Sequence, residues 1–265
     1  MSLHPFDRDL VMIPGTDPQR LTLDISDQWS INNTPNGGYI MALMLKGLRH
    51  GFGVDTAACI TTANYLDRCI KGPAVLELET MGESTTYLRR QARLIQNGRE
   101  RIRAWGTLLR REEPGVAHES APADPAPLDQ CTPVPFMEGY TLYKGVDLRL
   151  DPESSGWMTG RTGSASCMKG WIRFHDEREL DLAAITLFCD SFPPCVFTRH
   201  GMNAWVPTLE YSVNIRQLPQ SPWLKGHFQS RFLSAGLVEE DGELWDEAGN
   251  LIAISRQVAK YQIPA

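Results

Sequence analysis

Ten consecutive residues, Tyr39-Ile40-Met41-Ala42-Leu43-Met44-Leu45-Lys46-Gly47-Leu48, carry a single charge. Ile40, Leu43, Met44 and Gly47 fall at helical spacing, while Met41, Leu45 and Leu48 fill the opposite side. A helix that is apolar on every face has no side to show to water and must be enclosed. At roughly a dozen residues it is shorter than the ~20 needed to cross a bilayer, so the enclosure has to come from the chain itself. A sheet is the expected wrapper. Immediately upstream, Pro35-Asn36-Gly37-Gly38 supplies a capping side chain and two residues without Cβ. Such a start exposes backbone N–H groups to close approach. It reads either as a binding device or as an ordinary helix-opening turn.

The flanking sequence supplies strands. Arg20–Ile25 alternates polar and apolar, with Leu21, Leu23 and Ile25 on one face, the pattern of a half-buried strand. Residues 57–68 and 74–83 also read as strands. Residues 87–96 and 99–111 flank Asn97-Gly98, a dipeptide suited to a two-residue type I′ hairpin turn. A long antiparallel sheet curled around the apolar helix satisfies that order. Between residues 112 and 135 the composition shifts, with Pro114, Pro122, Pro125, Pro127, Pro133 and Pro135 among Ala, Glu and Asp. Prolines cannot sit inside a central strand, so the first sheet should end before this linker. The same order then returns. Residues 156–174 give strand material, and 180–190 a second apolar helix stopped by Pro193-Pro194. Strands follow at 209–217, 224–233, 236–245 and 251–261. Thr62-Ala63-Asn64-Tyr65 is similar to Thr208-Leu209-Glu210-Tyr211. The expected organisation is a duplicated unit, 1–111 and 156–265, joined by a linker over 112–155.

Charge and motifs exclude several functions. A formal balance of -6 gives no electrostatic reason to expect nucleic acid or an anionic membrane as partner. Met1-Ser2-Leu3-His4-Pro5-Phe6-Asp7-Arg8 has no leader pattern, so a cytoplasmic location is expected. The six cysteines contain no C-x-x-C and the six histidines no H-E-x-x-H, so neither a metal nor a cofactor is expected. There is no G-x-S-x-G, no G-K-[ST] and no G-x-G-x-x-G; the stretch 160–166 is glycine- and serine-rich and reads as a turn. Arg99, Arg101 and Arg103 share one strand face, as do Arg89, Gln91 and Arg93. Such stripes read as solvated faces or as contacts for nucleotide phosphates.

With Pro35-Asn36-Gly37-Gly38-Tyr39, Leu94-Ile95-Gln96-Asn97-Gly98-Arg99 and the second-half segments below, the chain resembles the acyl-CoA thioesterase II family over nearly its whole length. The resemblance implies an α+β double hot-dog, two antiparallel sheets each wrapped around a central helix, and a homodimer or higher homo-oligomer. It also implies an acyl-CoA substrate and a place in fatty acid metabolism. In that family an Asp at the end of the second-domain helix, a Thr or Ser opening the next strand and a Gln in the last strand hold the attacking water. Matched residue by residue, Leu187-Phe188-Cys189-Asp190 places the acid at Asp190, Pro207-Thr208-Leu209 the hydroxyl at Thr208, and Ser255-Arg256-Gln257 the amide at Gln257. Asn36, Gly37 and Gly38 are the substrate-binding candidates. The chain departs from the family at Glu210-Tyr211, where Asp-His is usual; that bears on substrate range more than on reaction type.

Water is a poor nucleophile at neutral pH, so thioester hydrolysis needs a carboxylate to take its proton and neutral groups to fix its position. Leu187, Phe188, Cys189 and Phe192 around Asp190 disfavour the charged form and make the carboxylate more basic. A threonine hydroxyl and a glutamine amide orient a water without competing as charges. Taken singly, Asp190 also reads as a helix-end polar residue, Thr208 as a plain strand threonine and Gln257 as a solvent-facing strand residue. Two other functions compete: a non-catalytic acyl-CoA or lipid-binding protein, and an enoyl-CoA hydratase, for which the sequence offers no Asp/His pair at a helix start.

Overall fold

The computed structural model describes residues 3–53, 58–111 and 124–263. The apolar stretch forms the helix Gly37–Leu48, with every residue but Gly37 and Lys46 buried. Asn36 caps it, its side-chain carbonyl accepting the Tyr39 N–H at 3.0 Å. The helix packs on strands Gly72–Glu83, Tyr87–Gln96 and Arg99–Leu109. Gly47 sets how closely they approach: a Cβ there would lie 1.9 Å from Leu76 Cδ2.

The second buried helix, Leu182–Phe188, is trimmed at both ends relative to the expected 180–190. Asp181 is its cap, accepting the Ala184 N–H at 2.9 Å, and Cys189 closes it, so Asp190 lies just beyond. It packs against the first helix and against strand Thr208–Ile215.

Among the described residues a 14-stranded sheet carries both helices, and its pairings are antiparallel. From its middle outward on one side run Cys59–Tyr65, Arg99–Leu109, Tyr87–Gln96, Gly72–Glu83 and Arg20–Ile25. On the other side run Thr208–Ile215, Leu251–Lys260, Leu237–Asp246, Leu224–Gln229, Cys167–Phe174 and Val146–Leu150. The two segments that are alike in sequence are neighbours at the middle, with Thr62 opposite Ser212 and Asn64 opposite Glu210. Leu21, Leu23 and Ile25 are buried as the alternation requires, and Asn97 and Gly98 take φ of 53° and 71°, as a type I′ turn demands.

The second half corrects part of the expected layout. Residues 112–123 lie outside the described residues, but Val146–Leu150, inside the expected linker 112–155, is a strand of the sheet paired with Cys167–Phe174. Val146, Leu148 and Leu150 alternate and are buried, a pattern that the nearby prolines obscure in the sequence. Thr132–Pro133 pairs beyond it, at the edge where a proline costs no ladder bond. Residues 156–159 form a 3-10 turn instead of strand, and the strand begins only at Cys167.

Candidate active site

Four chain segments meet at one carboxylate. Asp190 leaves the second helix where its last carbonyls point, and the first helix brings its opening turn to the same place. Asn36 uses its Nδ2 to donate to the Asp190 carbonyl at 2.9 Å and to Asp190 Oδ2 at 3.0 Å. The Gly38 backbone N–H donates to Oδ2 at 2.7 Å. From the last long strand, Gln257 Nε2 donates to Asp190 Oδ1 at 2.8 Å and to Thr208 Oγ1 at 2.7 Å. Asp190, Thr208 and Gln257 are thus brought together in three dimensions. Thr208 accepts from Gln257, which leaves its own proton to donate.

The helix start behaves differently from the expectation that its N–H and amide groups wait for a ligand. Asn36 and Gly38 direct their donors to Asp190, so two of the three substrate-binding candidates hold the carboxylate. The two glycines are required for space. A Cβ on Gly38 would sit 2.8 Å from Asp190 Cβ and 2.9 Å from the Leu187 carbonyl, and one on Gly37 would sit 2.9 Å from Asp190 Oδ2. Gly37 also accepts the Tyr65 hydroxyl proton through its carbonyl at 2.6 Å.

Burial pushes the Asp190 carboxyl up to about 6 against the opposing pull of the donors Gly38, Gln257 and Asn36. The same burial holds the Tyr65 hydroxyl well above its ordinary value, with Asp190 adding to the effect. Cys189 beside it is buried and its thiol is pushed up, which makes it inert as a nucleophile at neutral pH.

The carboxylate opens onto a cavity of about 740 Å³ lined by Asp190, Thr208, Gln257, Asn36 and Gly37 together with apolar walls that include Ile40, Val134, Phe192 and Phe197. That is the size and character of a small-molecule site. Tyr65, Tyr143 and Glu240 also line it, and sequence reasoning passed over all three. For Tyr65 a signal existed, the internal similarity that aligns it with Tyr211. Within the two arginine stripes, Arg101 pairs with Asp67, Arg103 with Glu100 at 2.6 Å, and Arg93 with Glu100 at 2.9 Å and Glu77 at 3.2 Å.

Comparison with known proteins bears on the family and the fold. The description "Acyl-CoA thioesterase N-terminal domain" matches residues 25–109, and "Acyl-CoA thioesterase C-terminal domain" matches residues 121–260. An uncharacterized protein of Mycobacterium tuberculosis is 24% identical over 300 residues, covering 100% of this chain and 97% of that protein. Among solved structures, a conserved protein of unknown function with a hot-dog fold from Alicyclobacillus acidocaldarius is 20% identical, with a TM-score of 0.89 and 100% of both chains covered. An acyl-CoA thioesterase II from Mycobacterium marinum is 16% identical, with a TM-score of 0.78, 98% of this chain and 99% of that chain covered.

The fold is therefore a hot-dog fold, here carrying a partly buried carboxylate at the meeting point of two helices. The class is that of thioester hydrolases. The chain belongs to the acyl-CoA thioesterase family. Among the described residues no helix is long and apolar enough to cross a membrane.

Proposed function

We propose that this protein hydrolyses acyl-CoA to a free acid and coenzyme A, with Asp190 as general base and with Thr208 and Gln257 fixing the attacking water. The observation that carries the reading is the Gln257 amide, which donates to Asp190 Oδ1 and to Thr208 Oγ1 at once. A water seated beside that pair can donate to the carboxylate and accept from the threonine hydroxyl. Asp190 takes its proton as the oxygen attacks the thioester carbon. A carboxyl raised to about 6 is ionised at pH 7 yet more basic than an exposed one, which suits this step. Gly37 at the cavity wall is our candidate for an oxyanion donor, because the first N–H groups of a helix have no partner within it.

In the same reading the chain is two hot-dog units, a first over 1–111 and a second over 156–265, each with its own helix. Val146–Leu150 joins the second unit through its pairing with Cys167–Phe174. A homodimer or higher homo-oligomer is proposed, supported by Ile60, Trp105 and Ile254, which stand 41%, 36% and 36% exposed on the central strands. A cytoplasmic enzyme acting in fatty acid metabolism completes the proposal.

The experiment is release of free thiol from acyl-CoA esters of varied length and from aryl thioesters, followed with a thiol-reactive dye. Turnover of any of them supports the reading. Binding of acyl-CoA without turnover of any would replace it with a silent acyl-CoA-binding protein.

A further inference from the structure

A second carboxyl group reaches the same cavity. Glu240 lies on strand Leu237–Asp246 directly opposite Gln257, and residues so paired project from the same face of a sheet with Cβ atoms about 5 Å apart. Both line the cavity together with Asp190. Oε2 of Glu240 accepts the backbone N–H of Cys195 at 2.7 Å, just beyond Pro193 and Pro194 in the cavity wall. That bond occupies one carboxyl oxygen of the two.

The groups acting on Glu240 come from three directions. Its pKa is raised to about 7, chiefly by burial, with Asp190 at the end of the second helix and Asp241 on its own strand adding to the rise and the Cys195 N–H and thiol opposing it. Tyr211, opposite Gln257 on the other neighbouring strand, is itself held protonated, with Glu240 among the causes. Glu240 therefore holds its proton at a pH where Asp190 is already ionising. The mechanism above uses one of them as a base and leaves the departing thiolate without an acid.

Resting on the hydrolase reading, we propose that Glu240 is the acid of this site, donating its proton to the sulfur as the carbon–sulfur bond breaks while Asp190 takes a proton from the attacking water. Water oxygen bonds to the acyl carbon and loses one proton to Asp190; its second proton stays on the product acid. The tetrahedral centre collapses, the carbon–sulfur bonding pair goes to sulfur, and sulfur takes the Glu240 proton. Asp190 then holds one proton and Glu240 lacks one, and transfer through cavity water restores both. One water and one thioester become one acid and one thiol.

The test compares leaving groups. Glu240→Gln keeps an acceptor for the Cys195 N–H, and its fold is checked by thermal unfolding. The same acyl group is presented as its coenzyme A ester and as its 4-nitrothiophenyl ester, whose thiolate needs no acid to depart. The expected result is a loss of about 10²-fold in kcat on the coenzyme A ester, the scale of one general acid, with the nitrothiophenyl ester nearly unaffected. The alkaline limb of the wild-type profile on the coenzyme A ester also disappears in the variant. Equal losses on both esters, or none on either, overturn the proposal. Asp190→Asn on the same pair separates the two readings: loss on both esters there, with both spared in Glu240→Gln, removes the acid and leaves the base in place.

Discussion

The backbone N–H of Gly38 donates to Oδ2 of Asp190 at 2.7 Å across 152 positions of sequence. Through it the start of one buried helix and the end of the other share a single carboxylate. The first helix presents the positive end of its dipole to the acid and the second its negative end, so the charged form is supported from one half of the chain and opposed from the other. Asn36 reinforces the supporting side from the same turn.

Asp190→Asn lowers turnover of acyl-CoA by about 10² or more, because the amide cannot take a proton from water. It also changes stability in a defined direction. A carboxyl raised from 3.8 to about 6 by folding favours the folded state most below pH 4, and that contribution is lost as pH rises through 6. The amide does not titrate, so the stability of the variant relative to the wild type rises between pH 4 and pH 8, whatever the lost acceptor costs at both. Thermal unfolding at the two pH values measures it.

The pH profile of kcat/KM follows from the same group. Asp190 acts as base only when ionised, so activity falls as pH drops through about 6. An acid limb near pH 4, where an exposed carboxyl titrates, would mean that another group supplies the base.

Thr208→Val and Gln257→Leu each remove one of the groups that position the water. The expected loss is about 10²-fold in kcat for either, the scale of a misplaced reactant. Thr208→Ser keeps the hydroxyl and retains most of the activity. Steady-state kinetics on the three variants decides the matter, and a Thr208→Ser enzyme as impaired as Thr208→Val would show that the hydroxyl is not what matters.

Gly38→Ala forces the two helix ends apart, since the added methyl meets Asp190 Cβ at 2.8 Å and the Leu187 carbonyl at 2.9 Å. Overpacking of this kind costs about 1–3 kcal/mol, and here it also lengthens the bond to Oδ2. Both a lower Tm and an acid limb displaced to higher pH are expected, because one donor to the ionised form is weakened.

Much of this was legible in the sequence for particular reasons. A run from Tyr39 to Leu48 with no polar face admits only a buried helix, alternation at Leu21, Leu23 and Ile25 admits only a half-buried strand, and Asn97-Gly98 specifies its own turn. That Asp190, Thr208 and Gln257 come together was legible only through resemblance, since each alone has an ordinary explanation. The contact between Asn36, Gly38 and Asp190 was not, because it depends on how two helices cross, and no local pattern records that. Glu240 hides in the run Glu239-Glu240-Asp241, which reads as solvated charge until the strand's register turns its middle member toward the cavity. Val146–Leu150 is a plain alternating strand masked by the prolines before it.

The central claim is that water attacks the thioester directly while Asp190 only takes its proton. Both Asp190 oxygens already accept hydrogen bonds, Oδ1 from Gln257 and Oδ2 from Asn36 and Gly38, which weakens the carboxylate as a nucleophile. A single turnover of acyl-CoA with excess enzyme in 18O-labelled water tests this most directly. The account predicts one labelled oxygen in the released acid; unlabelled acid with the label left on Asp190 would contradict it.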